Sequence, residues 1–240
     1  GPKELLPIIG ELSKWTNLPL VVKPNAGLPD PITNTYDITP EEFASYVADM
    51  ANYGIRVVGG CCGTNPEYIK ATIKKLSTIH PNVEKKEIPS AVCSSSKTVV
   101  INQPRIIGER INPTGKKRFK EALKNNDLDY ILGQAIEQAQ GGAEILDVNV
   151  GLPGIDEKEM MIKTVKALQG VTNLPLQLDS TIPEVLEAAL RVYNGKAIVN
   201  SVNGEEESLK NVLPIVKKYG AAVVGLTLDK DGIPPKAEKR

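Results

Sequence analysis

Apolar positions along the chain fall into short runs and helical stripes separated by polar loops. Leu5, Ile8, Ile9 and Leu12 recur at helical spacing and predict a helix over residues 5–15. Residues 19–22 form a strand-sized apolar run that ends in Lys23-Pro24-Asn25-Ala26-Gly27, a loop signal. Thr39-Pro40-Glu41-Glu42 opens the next helix: Thr39 suits an N-cap, Pro40 the first helical position, and Glu42 closes a capping box. That helix is expected to run to about Tyr53, where Gly54 stops it. A strand over 55–58 then leads into Gly59-Gly60-Cys61-Cys62-Gly63, and Asn65-Pro66-Glu67 caps a helix running to about Ile79.

The rhythm breaks after residue 80. His80-Pro81-Asn82, the charged stretch 84–87, Ile88-Pro89-Ser90 and the serines at 94–96 read as a linker over 81–103, with a short strand at 98–101. From Arg105 the alternation resumes. Strands end in Gly108-Glu109-Arg110-Ile111-Asn112, Leu146-Asp147-Val148-Asn149, Leu178-Asp179-Ser180, Val199-Asn200-Ser201 and Gly225-Leu226-Thr227. Helices are expected at 116–124, 130–140, 157–168, 183–192 and 205–218. Near-continuous apolar strands alternating with helices imply an α/β fold with a parallel sheet. Polar residues at five successive strand ends favour a TIM-type barrel, whose site lies at that rim, over a doubly wound sheet with one switch point. Two strands precede the linker and five follow it. The reading is therefore two (β/α)8 barrels joined by a linker, both incomplete in this chain: residues 1–80 of the first and 104–240 of the second. A single α/β domain of about seven strands with an insert is the alternative.

Composition narrows the function classes. Of 240 residues, 41% are hydrophobic and 24% charged, as in an ordinary folded protein. Lys+Arg and Asp+Glu are both 29, so no basic excess points to nucleic acid or an anionic membrane. The longest apolar runs are strand-sized, and the N-terminus lacks a basic region followed by an apolar stretch. The 3 cysteines make no disulfide framework, which favours a cytoplasmic setting. With 1 histidine in the chain, His80 beside a proline, no His-based triad can form.

Cys61 and Cys62 are neighbours at a strand end, flanked by glycines that allow a tight backbone path. A free cysteine is often just a small buried hydrophobe. Two adjacent thiols after Val57-Val58-Gly59-Gly60 instead suit a zinc site with a position open for substrate. The segment Val57-Val58-Gly59-Gly60-Cys61-Cys62-Gly63-Thr64 with Pro66 resembles the last strand and loop of the homocysteine methyltransferases. The resemblance implies zinc held by Cys61, Cys62 and a third cysteine that lies before the stretch matching Gly1-Pro2. Lys23-Pro24-Asn25-Ala26-Gly27-Leu28-Pro29 resembles that family's preceding loop, which places Asn25 beside substrate or zinc.

After the linker, Ile107-Gly108-Glu109-Arg110-Ile111-Asn112-Pro113-Thr114-Gly115 resembles the opening of the pterin-binding barrel of methionine synthases and folate:corrinoid methyltransferases. Asp147-Val148-Asn149-Val150-Gly151, Leu178-Asp179-Ser180 and Val199-Asn200-Ser201 match its next three strand ends. A pterin edge offers adjacent amine and ring N–H donors beside an acceptor carbonyl; a carboxylate accepts two donors, and an amide supplies both polarities. The match implies that Asp179 and Asn200 hold the pterin and serve catalysis, with Asn112, Asp147 and Asn149 lining the floor. Ser201 is a further pterin candidate, equally suited to a backbone hydrogen bond. Any one Asp or Asn could merely cap a strand or turn; four matching strand ends in order argue otherwise. Glu109 and Arg110 suit a mutual pair or floor contacts, and Lys116-Lys117-Arg118 a solvated helix start.

Both signatures in this order resemble the cobalamin-dependent methionine synthases. That resemblance implies methyl transfer from methyltetrahydrofolate via cobalamin to zinc-activated homocysteine. Cobalamin would be carried by a domain of the same full-length protein not in this chain. A corrinoid-dependent methyltransferase using another thiol or methyl donor, and a non-catalytic pterin-binding module, are the alternatives.

Overall fold

The computed structural model describes residues 1–80 and 85–240. Pro81, Asn82 and Glu84 of the expected linker lie outside the described residues. The chain divides into two compact units, Gly1–Pro89 and Ser90–Arg240.

The first unit runs α1 (Pro2–Leu12), β1 (Leu20–Val22), α2 (Pro40–Ala51), β2 (Ile55–Val58) and α3 (Pro66–Leu76). The two strands pair in parallel, with Val21 opposite Val57 and Val22 opposite Val58. Both bonds of the expected capping box form: Glu42 N donates to Thr39 Oγ1 at 3.3 Å, and Thr39 N to Glu42 Oε2 at 3.0 Å. Asn65 caps α3 through Oδ1, which accepts from Glu67 N at 2.9 Å. The apolar stripe of α2, Phe43, Val47 and Met50, packs with Ile9, Val22, Ile55 and Tyr68. Phe43 meets Tyr68 edge to face, ring centroids 5.5 Å apart.

The second unit opens with an antiparallel hairpin, β3 (Ala91–Cys93) and β4 (Thr98–Val100). There follow β5 (Ile107–Ile111), α4 (Lys117–Lys124), α5 (Leu128–Gln140), β6 (Ile145–Asn149), α6 (Glu157–Leu168), β7 (Leu176–Asp179), α7 (Pro183–Val192), β8 (Ile198–Val202), α8 (Glu206–Tyr219) and β9 (Ala222–Gly225). β5 to β9 form one parallel sheet in chain order. This is the α/β fold with a parallel sheet expected from the alternation.

The sheet has two different faces because side chains alternate along each strand. Leu146, Val148, Leu176, Leu178 and Val199 join the helix-side core with Phe119, Ile131, Met161 and Leu186. Burying each such side chain contributes about 1.5–3 kcal/mol. On the other face, Ile145 and Ile198 pack with Val92 and Val99 of the hairpin, and Ala222 and Val224 lie against them.

The hairpin therefore covers the amino-terminal ends of the strands. It is held there by Cys93 N to Lys196 O at 3.0 Å and Lys196 N to Cys93 O at 2.9 Å. The Tyr193 hydroxyl donates to Cys93 O at 3.0 Å and accepts from Leu176 N at 3.2 Å. The approach is close enough that a Cβ on Gly195 would collide with Cys93 O. Among the described residues, no helix is long and apolar enough to cross a membrane.

Candidate functional site

The register of the second sheet assembles the polar strand ends into tiers. Asn149, Asp179 and Asn200 are direct partners across β6, β7 and β8. Asp147 and Gln177 pair one tier below. Residues two apart on a strand share a face, so both tiers project to the side opposite the helices. That face is apolar at the hairpin and polar toward the carboxyl ends of the strands.

Within the tiers the side chains bond to one another. Asn149 Nδ2 donates to Asp179 Oδ2 at 2.9 Å, while Asn149 Oδ1 accepts from Gly151 N at 2.9 Å. Asp147 is 2% exposed. Its Oδ1 accepts from Gln177 Nε2 at 2.5 Å and from Asn200 Nδ2 at 3.3 Å. Burial raises the Asp147 carboxyl to about 6; the Gln177 and Asn200 hydrogen bonds oppose the rise, and the nearby Asp179 and Glu109 charges add to it. Asp179, half-buried, is also raised, first by burial and further by Glu109, against the bond from Asn149.

Asn112 is buried and braces the turn after β5. Its Nδ2 donates to Glu109 Oε1 at 2.7 Å and its Oδ1 accepts from Thr114 N at 2.8 Å. Glu109 also faces Lys116 Nζ at 3.6 Å. The Arg110 backbone N–H donates to Gln138 Oε1 at 2.6 Å. Ser201 stands apart from the tiers, in a cleft of about 360 Å³ lined by Ser180, Asn203, Glu205, Ser208 and Leu226.

Gln177 is the site residue that the sequence reading passed over. The alternation Leu176-Gln177-Leu178-Asp179 was its signal, since it places Gln177 on the face of Asp179. Ser180 and Glu157 also enter here: Ser180 Oγ donates to Glu157 Oε1 at 2.5 Å above β7.

In the first unit the β1–β2 ladder continues beyond the strands and fixes the thiols. Gly59 N donates to Val22 O, Cys61 N to Pro24 O and Ala26 N to Cys62 O, each at 2.9 Å. Asn25 Oδ1 accepts from Cys62 N at 3.2 Å, so Asn25 holds the cysteine loop directly. Thr64 Oγ1 donates to Cys61 O at 2.7 Å. Gly63, at φ 80°, ends the turn where a Cβ would lie 2.5 Å from the Tyr36 ring.

Cys61 and Cys62 are exposed free thiols. Their sulfurs are 3.9 Å apart, too far for a disulfide. Two thiolates bound to one tetrahedral zinc at about 2.3 Å stand about 3.8 Å apart, so the pair fits one edge of such a site. Among the described residues, no three His, Cys, Asp or Glu side chains converge as a metal site.

Comparison with known proteins agrees with this division. The family profile described as "Pterin binding enzyme" matches residues 108–239, and "Homocysteine S-methyltransferase" matches residues 1–76. The chain is 35% identical over 256 aligned residues to a methionine synthase of Mycobacterium leprae (strain TN). It is 34% identical over 251 to that of Mycobacterium tuberculosis (strain ATCC 25618 / H37Rv). Each alignment covers 100% of this chain and 21% of the relative, so the chain spans about a fifth of their length. A solved dihydropteroate synthase of Xanthomonas albilineans with 4-aminobenzoic acid aligns at TM-score 0.46 and 21% identity, over 62% of this chain and 52% of that one. With more than half its residues, 108–239 of 240, matching that profile, the chain belongs to the pterin-binding enzyme family.

Proposed function

We propose that this chain contributes to methyl transfer from methyltetrahydrofolate, via cobalamin, to homocysteine. In this reading the second unit is an arc of a (β/α)8 barrel that holds the folate, and the first unit belongs to the barrel that holds the thiol. The observation that carries the proposal is the row Asn149–Asp179–Asn200 above the buried Asp147 carboxylate.

The chemistry follows from the donor and acceptor sets. The Asp179 carboxylate accepts the adjacent N–H donors of a pterin edge, and Asn200 offers both an acceptor and a donor beside it. Asn149 anchors Asp179 against rotation, which preserves the geometry on which discrimination depends. Asp147 and Asn112 support the floor. Departure of the methyl group leaves a ring nitrogen that needs a proton. The Asn200–Asp147 hydrogen bond links the pterin tier to a carboxyl held near 6, which exchanges protons close to neutrality.

Cys61 and Cys62 would supply two corners of a zinc site, with a further protein ligand needed for a catalytic set of three. When bound, the metal would lower the pKa of the homocysteine thiol and present it as a thiolate. Asn25 positions the loop that carries both cysteines, on the substrate side of the site. The cobalamin-carrying domain is a partner outside this chain.

Titration calorimetry of the intact protein with methyltetrahydrofolate, tetrahydrofolate and a pterin-free methyl donor tests the reading, with zinc measured in parallel. Folate binding abolished by Asp179→Ala, and zinc lost in Cys61→Ser, are the expected results. Failure of wild type to bind either folate would overturn the proposal.

A further inference from the structure

Gln177 lies beneath the pterin tier and, among the described residues, has no partner but Asp147 on its amide nitrogen. It is 7% exposed, and its Nε2 donates to Asp147 Oδ1 at 2.5 Å. Its Oε1 is buried and, among the described residues, has no donor. A buried carbonyl oxygen without a donor costs free energy, so an apolar side chain of similar size would fit the packing better. Leu176 and Leu178 on the same strand face the helices, and the neighbours of Gln177 across β8 and β9 in its own tier are Ile198 and Ala222. An amide in that surrounding has one evident task, which is the carboxylate beside it.

We propose that Gln177 is a positioning residue of the pterin site, holding the Asp147 carboxylate in the orientation and charge state in which it supports the tier above. The inference rests on the pterin reading of that tier. An amide suits the task because it can serve either protonation state. Its N–H donates to the carboxylate, and on rotation its C=O accepts from the carboxylic acid. Asp147 also bonds Asn200, so a carboxyl displaced at Gln177 disturbs a pterin-facing amide.

The charges that bear on Asp147 are Asp179 from β7 and Glu109 from β5, both negative. Gln177 and Asn200, the latter from β8, are the neutral donors that oppose them. Loss of the Gln177 bond therefore moves Asp147 toward the protonated form.

The test is methyltetrahydrofolate affinity of the intact protein from pH 5 to 8. Wild type is compared with Gln177→Met, which keeps the length and apolar fit. The pH at which affinity falls should move up by about one unit in the variant, the size expected for one hydrogen bond to a charged group. The same substitution in an Asp147→Asn background should produce no further shift. A merely structural role would lower affinity equally at all pH values, or lower it in both backgrounds, and would overturn the inference. Wild type without folate binding would instead overturn the pterin reading itself.

Discussion

Replacing Asp147 by Asn should make the second unit more stable at neutral pH. Burial holds the folded carboxyl near 6, against 3.8 for an unhindered aspartate. The folded state therefore keeps a proton that the unfolded chain has released between about pH 4 and pH 6. Stability falls as pH rises through that window, and above it the full penalty of about 3 kcal/mol is present. Asn has the shape of the neutral acid, and its Oδ1 keeps Gln177 and Asn200 as donors. Most of the penalty should thus be recovered, about 2–3 kcal/mol. For a unit of this size each kcal/mol moves the melting temperature by about 2–4 °C, so a rise of roughly 5–10 °C is expected at pH 7. The assay is thermal unfolding of the intact protein, wild type and Asp147→Asn, at pH 7 and pH 4. The two proteins should differ at pH 7 and converge at pH 4. Equal stability at pH 7, or a gap of the same size at both pH values, would refute the assignment of a buried, ionised Asp147.

Two further substitutions probe the supports of the two sites. Tyr193→Phe removes the hydroxyl that joins Cys93 O to Leu176 N, leaving the buried Leu176 N–H without that acceptor while Cys93 O keeps Lys196 N. A loss of about 2 kcal/mol, with faster amide hydrogen exchange at Leu176, is expected by calorimetry and exchange measurements. Gly63→Ala places a Cβ against the Tyr36 ring at a φ that L side chains rarely adopt. Zinc affinity, followed with a metal indicator, should fall about tenfold or more while the circular dichroism of the helices is retained.

Much of this architecture can be read directly from local chemistry. The N-caps Thr39 and Asn65 stand where Ser/Thr/Asn followed by Pro predicts them, and α6 and α7 match their apolar periodicity end to end. Helix ends drift where turns take over: Lys14 N and Trp15 N bond three residues back, so α1 stops at Leu12 rather than at Trp15. β3 carried no local signal. It is three residues long, and its partners beyond the hairpin lie at Lys196, 103 residues away. Gln177 does not stand out while β7 is read as a continuous apolar run, yet its polar positions repeat every second residue. The meeting of Asp147 with Asn200, 53 residues apart, depends on parallel register, which no short segment encodes.

The sheet face of the second unit is apolar at the hairpin and polar toward the carboxyl ends of the strands, where the proposed folate site lies. Val92, Val99, Ile145 and Ile198 exclude water at the foot of the strands and need no partner beyond one another. Toward the carboxyl ends of the strands, Asp147 and Asp179 are held in surroundings that raise both carboxyls, and the Asp179 charge adds to the rise at Asp147. Such a pair is costly in the folded protein, and a ligand that presents N–H donors to it lowers that cost. Protons and donor-rich ligands therefore compete for the same oxygens. The hydrophobic tier allows this tension to persist, because its burial, each large side chain contributing about 1.5–3 kcal/mol, offsets a penalty of similar size in the tier above. In the proposed reading the folate site draws specificity from the same carboxylates that weaken the fold, so the stabilising change at Asp147 should weaken folate binding and flatten its pH dependence without abolishing it.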